Sequence, residues 1–363
     1  MLPKLWLLRV SSNDSLGIYN SKAASRTRSG FLFFLYCVKG LTAILKSLDY
    51  GALPLSDYSR SYIIRMLPSI DYYMDIYGCC LRRALGAAAK VPADVTLVDY
   101  GGGHGFLSMA AKRSGVGKVI YVDVNPQAAE AVKAVSATVG EGPDVVLTGD
   151  SADLRRWCEE NAVRPDVVLG MDVIEHIYRL EDFFADLYAV NPDMPMLFTT
   201  GSTPYNPWIK RRLHRVMKED ESVFCSQRCD FIRAQFPTMS FPEAVFWSQH
   251  TRGLVYDDVL KAVKTTLPHF LKDRYNTCDP ATGSWTERIL PISDYRRRLS
   301  PYGTRLVVRK GFYNTHRSGI KGIVSRLLNV LLFLPLTHWL APFIVLECRS
   351  RTSFFDFVGQ KVQ

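Results

Sequence analysis

Residues Met171–His176, read MDVIEH, bring two carboxylates and an imidazole close together in the chain. Asp172 lies three positions before Glu175 and four before His176, so a helix would carry all three on neighbouring faces. Such groups can cap a helix, with Asp172 at the N-cap and Glu175 reaching back from the third helical position. They can equally move a proton or hold a divalent ion. The cap accounts for the two acids and leaves His176 without a role.

What positions them is a change of rhythm in the centre of the chain. Short apolar segments, VTLVDY, KVIYVDV, PDVVLTGD, PDVVLG and MPMLFTTG, alternate with helical ones, FLSMAAKR, PQAAEAVKAVSA, SADLRRWCEE and LEDFFADLYAV. Strands separated by crossover helices predict a parallel sheet covered on both faces, an α/β fold of Rossmann-like kind, over residues 94–201. MDVIEH then stands at the end of the fourth strand, where an open α/β sheet exposes its ligand crevice.

The first predicted strand runs into DYGGGHGFLS. Gly101, Gly103 and Gly105 can supply a tight turn and close backbone approach to a ligand, ahead of a helix that offers free N–H groups. The second strand ends at Asp123, placed for a ribose diol. Asp150 and Ser151 follow the third, in reach of a base, although Asp123 and Asp150 also sit where helix caps belong. The ordered set points to a cleft for a nucleoside-containing cofactor.

That set resembles the class I S-adenosylmethionine-dependent methyltransferases. The resemblance implies that Asp99 organises the turn, that Gly101, Gly103 and Gly105 hold the methionine end of S-adenosylmethionine, and that Asp123 takes the ribose, with Asp150 and Ser151 near adenine. His104, inside the loop, has no assigned role. A nicotinamide dehydrogenase is the competitor, but its usual G-x-G-x-x-G differs from GGGHG. At MDVIEH the chain looks like the ubiquinone-biosynthesis O-methyltransferases and, at this helix, the small-RNA terminal 2′-O-methyltransferases. Both use an acid-x-x-Glu-His set for a divalent ion. The likeness implies a metal held by Asp172, Glu175 and His176, with His214, favoured over His250, as a further ligand and magnesium or manganese suiting the donors. Asp172 stands where Glu is commoner, which shortens the reach. Glu175, His176 and His250 are the candidate catalytic residues, an imidazole accepting the acceptor's proton where the metal does not lower its pKa.

Four segments follow: an N-terminal helical extension over 1–93, the core over 94–201, a substrate-cap or membrane-facing insertion over 202–292, and terminal sheet elements with a hydrophobic insertion over 293–363. In the extension, the apolar run FLFFLYCVKGLTAILKSL is interrupted by Lys39 and Lys46, as an interfacial helix would be. The insertion begins with Lys210, Arg211, Arg212, Arg215 and Lys218 interleaved with Trp208, Ile209 and Leu213. Near the end, Leu327–Leu346 forms a 20-residue apolar block, long enough to cross a bilayer but interrupted by Pro335 and Pro342, which favours a monotopic or buried segment. With 45 Lys plus Arg against 35 Asp plus Glu, the formal charge is +10, suited to an anionic membrane surface or to RNA.

Eight scattered Cys suggest neither a disulfide framework nor a zinc site, and the opening MLPKLWLLRV is too short for an ordinary signal peptide. The expectation is a cytoplasmic enzyme, peripheral at a membrane, that methylates a hydroxyl on a small-molecule or lipid-linked acceptor. RNA is the less favoured partner, since no aromatic and basic module specific to it is present. A nitrogen acceptor, which would need no oxygen-binding metal, and a noncatalytic cofactor-binding protein are the alternatives.

Overall fold

The computed structural model describes residues 40–349. Expectations placed on residues 1–39, including the first half of the proposed interfacial helix, lie outside this range.

Helical residues 40–47 (α1), α2 (Asp57–Met66) and α3 (Ile70–Ala88) precede the sheet, with the break at Pro68 taken up by a short 3-10 turn. Five strands follow, β1 (Thr96–Tyr100), β2 (Lys118–Asp123), β3 (Val145–Thr148), β4 (Val167–Met171) and β5 (Met196–Thr200). They are joined by α4 (Phe106–Arg113), α5 (Pro126–Val139), α6 (Ser151–Glu160) and α7 (Leu180–Val190). The five strands are mutually parallel in the order β3-β2-β1-β4-β5. Alternate residues serve opposite layers, as a pleated strand covered on both faces requires. Val98, Ile120, Val168 and Phe198 pack with α6 and α7, while Leu97, Val119, Leu169 and Leu197 meet α3 and α4.

The chain winds outward from β1 through β2 to β3, then returns to start β4 on the other side of β1. That reversal opens a crevice beyond the carboxyl ends of β1 and β4. The glycine turn and MDVIEH therefore face each other.

Residues 202–292 leave the sheet as α8 (Pro207–Gln235), α9 (Phe241–Gln249) and α10 (Tyr256–Thr265), which enclose a small core of Cys229, Ile232, Ala244, Val259 and Val263. The fully buried Arg228 donates there from Nε to Ser248 O at 3.0 Å and from Nη2 to Glu221 at 2.6 Å, with Nη1 left without a partner. The chain rejoins the sheet through α11 (Ile292–Leu299) and β6 (Arg305–Lys310), then α12 (Gly319–Leu331) and β7 (Ile344–Arg349). β7 inserts between β5 and β6, antiparallel to both. The fully buried Glu347 of β7 is matched by Arg83, Arg309 and Arg349. This sheet order with its reversed strand is the Rossmann-like fold of class I methyltransferases.

The apolar block is not a membrane crossing. It divides into the end of α12, a turn at Pro335 and Leu336, a short 3-10 segment and the start of β7. Among the described residues no helix is long and apolar enough to span a bilayer. Asn329 fixes α12 by exchanging two hydrogen bonds with the backbone of Tyr313, at 2.7 and 3.0 Å. Its outer face leaves Ile320, Leu327 and Val330 largely uncovered.

Candidate functional site

Asp99, the penultimate residue of β1, is buried and accepts a 2.6 Å hydrogen bond from Ser108 on α4. The turn that follows passes close under β4. A Cβ on Gly101 would lie 2.3 Å from Val173 Cγ2, and its φ of +66° disfavours other residues as well. Gly103 N donates to Asp123 Oδ2 at 2.9 Å, and Tyr121 OH donates to Gly103 O at 2.6 Å, so the end of β2 clamps the turn from both sides.

The wall opposite comes from α2 and α3, where Tyr62, Met66 and Tyr77 enclose a pocket with Asp99, the glycine turn and Met171. His104 projects into it, only 5% exposed, stacked on Tyr62 with ring centres 4.7 Å apart. Neither ring nitrogen has a hydrogen-bond partner, and burial lowers its pKa to about 4, so it is neutral. A buried imidazole with nothing to bind is a strong sign of a ligand site.

Beyond this pocket the assignments diverge. Asp150 is the N-cap of α6: its side chain accepts from Ala152 N and Asp153 N, and Asp153 completes a capping box. Ser151 Oγ is directed to Asp186 on α7 at 2.8 Å and ties two helices together. The capping role expected as an alternative for Asp150 is thus present.

MDVIEH does not begin a helix. Residues 172–179 form a turn and α7 starts only at Leu180, so the helix-cap reading of Asp172 fails. Asp172 instead adopts a left-handed φ of 50°, strained for a residue with a side chain. It is open to solvent yet densely surrounded by protein, the situation of a group on a cleft floor. Burial and then Glu287 push its carboxyl above the usual carboxylate range. Glu175 is 1% exposed, and burial followed by the charge of Asp172 holds it well above that range.

Four consecutive residues at the end of β5 organise these acids. Thr199 Oγ1 donates to Asp172 Oδ1 at 3.2 Å, and Thr200 Oγ1 donates to Glu175 Oε1 at 2.7 Å. Gly201 N donates to the same Glu175 oxygen at 3.2 Å, and Ser202 Oγ donates to Glu287 Oε2 at 2.8 Å. Glu287 was not foreseen: it comes from the strand-like return of the insertion, with φ 48°, and only that return path brings it to MDVIEH. The return is pinned by Trp285 N donating to His176 O at 3.1 Å and Arg288 N donating to Glu175 O at 3.3 Å. His176 Nδ1 lies 2.8 Å from Trp285 O, which assigns the ring proton to Nδ1 and leaves Nε2 as the accepting nitrogen.

The expected metal centre does not form. His214, on α8, lies flat against Tyr275 with ring centres 3.7 Å apart. Among the described residues no three His, Cys, Asp or Glu side chains converge to hold an ion, so the set Asp172, Glu175, His176 and His214 is withdrawn together with magnesium and manganese. Asp172, Glu175 and His176 share the turn 172–179 while His214 is on α8, and Asp172 and Glu175 are each already engaged by their own threonine. His250, the third candidate catalytic residue, ends α9 with Nδ1 on Phe246 O at 2.7 Å and its ring against Phe246 and Phe270. It belongs to the packing of the insertion. Trp285 reaches the turn through its indole bond to Tyr178 O at 3.2 Å, whereas Tyr302 stacks on Tyr188 with ring centres 4.0 Å apart.

No family model matches the chain. A ribosomal protein L11 methyltransferase of Bordetella parapertussis is 45% identical over 42 residues, 12% of this chain and 14% of that protein. An arginine N(omega)-methyltransferase of Streptomyces achromogenes is 37% identical over 59 residues, 16% of each. The chain thus spans about one-seventh of the length of the curated relatives it matches. Among solved structures, magnesium protoporphyrin IX methyltransferase from Synechocystis with bound S-adenosylhomocysteine aligns with 76% of this chain and 82% of its own, at 15% identity and a TM-score of 0.35. A ribosomal protein L11 methylase from Lactobacillus delbrueckii covers 32% of this chain and 57% of its own, at 22% identity and a TM-score of 0.25. The strand order and the clamped glycine turn define the class: a Rossmann-like α/β protein with the class I methyltransferase architecture.

Proposed function

We propose that the chain is an S-adenosylmethionine-dependent methyltransferase. The observation that carries this reading is the pocket between the glycine turn and α3, in which His104 is buried, neutral and without a partner. Bound S-adenosylmethionine supplies a methyl group on an electrophilic sulfonium. The turn at Gly101 and Gly103 would hold its amino-acid end, with Asp99 and His104 facing its polar groups. Asp123 keeps acceptor capacity beyond its two backbone contacts, since a carboxylate offers about four lone-pair sites, and would receive the ribose hydroxyls. Asp150 caps α6 through one oxygen and would approach adenine with the other.

The acceptor would enter over the turn 172–176. His176, with its proton fixed on Nδ1, offers Nε2 as the base, and the shell of Thr199, Thr200 and Trp285 holds the surrounding groups in place. The hydroxyl acceptor read from the sequence leaned on a metal to lower its pKa, and that support is gone. A terminal RNA acceptor is disfavoured electrostatically, because phosphates would approach three carboxylates. Calorimetry with S-adenosylhomocysteine tests the reading: one-site binding is expected, and folded full-length protein that takes up none rejects it.

A further inference from the structure

Among the described residues, the three acids at the acceptor side have only the imidazole of His176 as a neighbour able to carry positive charge, and no Lys or Arg. Asp172, Glu175 and Glu287 are lined up along residues 199–202, each on its own donor, and among the described residues none forms an ion pair with a Lys or Arg. Their only hydrogen bonds come from hydroxyl and backbone groups. Glu175 carries a second and separate sign. At 1% exposure it leaves Oε2 with no partner, while Thr200 and Gly201 both engage Oε1. A buried carboxyl oxygen left without a partner is costly, whether it bears charge or a proton, unless something completes it.

What completes it is constrained in two ways. A bare metal ion is excluded by geometry, because the side chains do not converge on one point. The remaining wall is aromatic: Tyr62, Tyr72, Tyr73 and Tyr77 from α2 and α3 all lie within electrostatic reach of Asp172. Spread carboxylates beside a pocket that Tyr62 and Tyr77 line next to Met171 suit an organic cation, which pairs with the acids through several N–H groups and tolerates aromatic neighbours. The wall already accepts one such group, since the Arg65 guanidinium lies 5.4 Å from the centre of the Tyr62 ring.

Resting on the methyl-transfer reading above, we propose that the acceptor is a positively charged nitrogen, an alkylammonium or guanidinium, seated against Asp172, Glu175 and Glu287. The nitrogen gives up an N–H proton to His176 Nε2. Its freed lone pair takes the methyl group, and the electron pair of the broken carbon–sulfur bond stays on sulfur. A sulfonium and a protonated amine thereby become a neutral thioether, a methylated and still cationic nitrogen, and one proton released through His176. The acids hold positive charge before and after the step. A neutral hydroxyl would leave them uncompensated throughout.

The test uses full-length protein and three probes, benzylamine, agmatine and benzyl alcohol, titrated with and without S-adenosylhomocysteine. Benzylamine is expected to bind at least tenfold tighter than benzyl alcohol, with agmatine also binding. Glu287→Gln and Asp172→Asn are each expected to weaken both cations about tenfold and to leave S-adenosylhomocysteine affinity unchanged. Each variant removes one of several crowded like charges, so its thermal midpoint should be unchanged or higher, and weakened binding is then not misfolding. Benzyl alcohol binding as well as benzylamine, or cation binding indifferent to both variants, overturns the proposal. S-adenosylhomocysteine binding without cation preference would leave the methyl-transfer reading standing and reject this one. Glu287-dependent cation binding in a protein that takes up no S-adenosylhomocysteine would reject the methyl-transfer reading and with it the acceptor role, although the cation site itself would stand.

Discussion

Asp172 and Glu287 are 115 positions apart in the chain, face one another electrostatically across the crevice, and share a left-handed backbone, with φ of 50° and 48°. Neither is glycine, and each strained residue presents a carboxylate to the other's field. Strain of this kind persists only where the surrounding structure enforces it, and here the bonds from Thr199 and Ser202 do so.

Replacing Asp172 with glycine should therefore make the protein more stable and less useful. Relief of the left-handed conformation contributes about 1 kcal/mol, and loss of a charge beside Glu287 adds to it. Chemical denaturation is expected to show the gain, S-adenosylhomocysteine affinity should not change, and methyl transfer should fall at least tenfold. An unchanged denaturation midpoint would mean the strain is not real.

Gly101 tests the glycine turn by steric exclusion. Gly101→Ala forces a methyl group to within 2.3 Å of Val173 and should abolish S-adenosylhomocysteine binding with a stability loss. Val173→Ala in the same chain removes the nearest colliding atom, Cγ2, but keeps Cβ at 2.7 Å, so it should recover part of the stability and leave the rest of the collision and the cost of the positive φ. If the double variant is no better than the single, the collision is not the cause.

His104→Phe separates binding from packing. Phenylalanine keeps the stack on Tyr62 and removes two unpartnered buried nitrogens, so thermal stability should be equal or higher. S-adenosylhomocysteine affinity should fall at least fivefold by calorimetry. Unaltered affinity would remove His104 from the pocket's chemistry.

The pH dependence follows from Asp99, whose pKa burial raises to about 7, and from Glu175, held well above the carboxylate range by burial. Both bind protons more tightly in the folded state, so their contribution is complete below about pH 4. For Asp99 it is lost as the pH rises through about 7. Urea midpoints should thus decline from pH 5 to pH 8, by at most about 1.4 kcal/mol per unit for one group. Asp99→Asn keeps an acceptor for Ser108 and should flatten the decline.

Local rules made the core legible. The strands beginning at Thr96, Lys118, Val145, Val167 and Met196 fall on the apolar segments read from the chain, and α4 spans the same FLSMAAKR. Alternation and glycine spacing are short-range signals that the fold preserves. The turn at 172–179 was misread as a helix because acid spacing alone cannot reveal a left-handed Asp172. Glu287 carries no local mark. Its place depends on how residues 202–292 return to the sheet, and the same long-range path carries His214 and His250 into packing within the insertion. The ions expected at MDVIEH failed because the run turns instead of forming the helix that would align its three side chains, and because His214 is carried away with the insertion.

Because one run of four residues tethers all three acids, none can be re-aimed without disturbing its neighbours. Thr199 and Thr200 are also ladder positions, paired with Val345 and Ile344 of β7. A lineage carrying this arrangement could not drift gradually from one acceptor geometry to another by adjusting single carboxylates. Change would have to come from the far wall, where tyrosines on α2 and α3 can be exchanged one at a time, so that diversity among descendants would accumulate on the helices while the sheet edge stayed as it is.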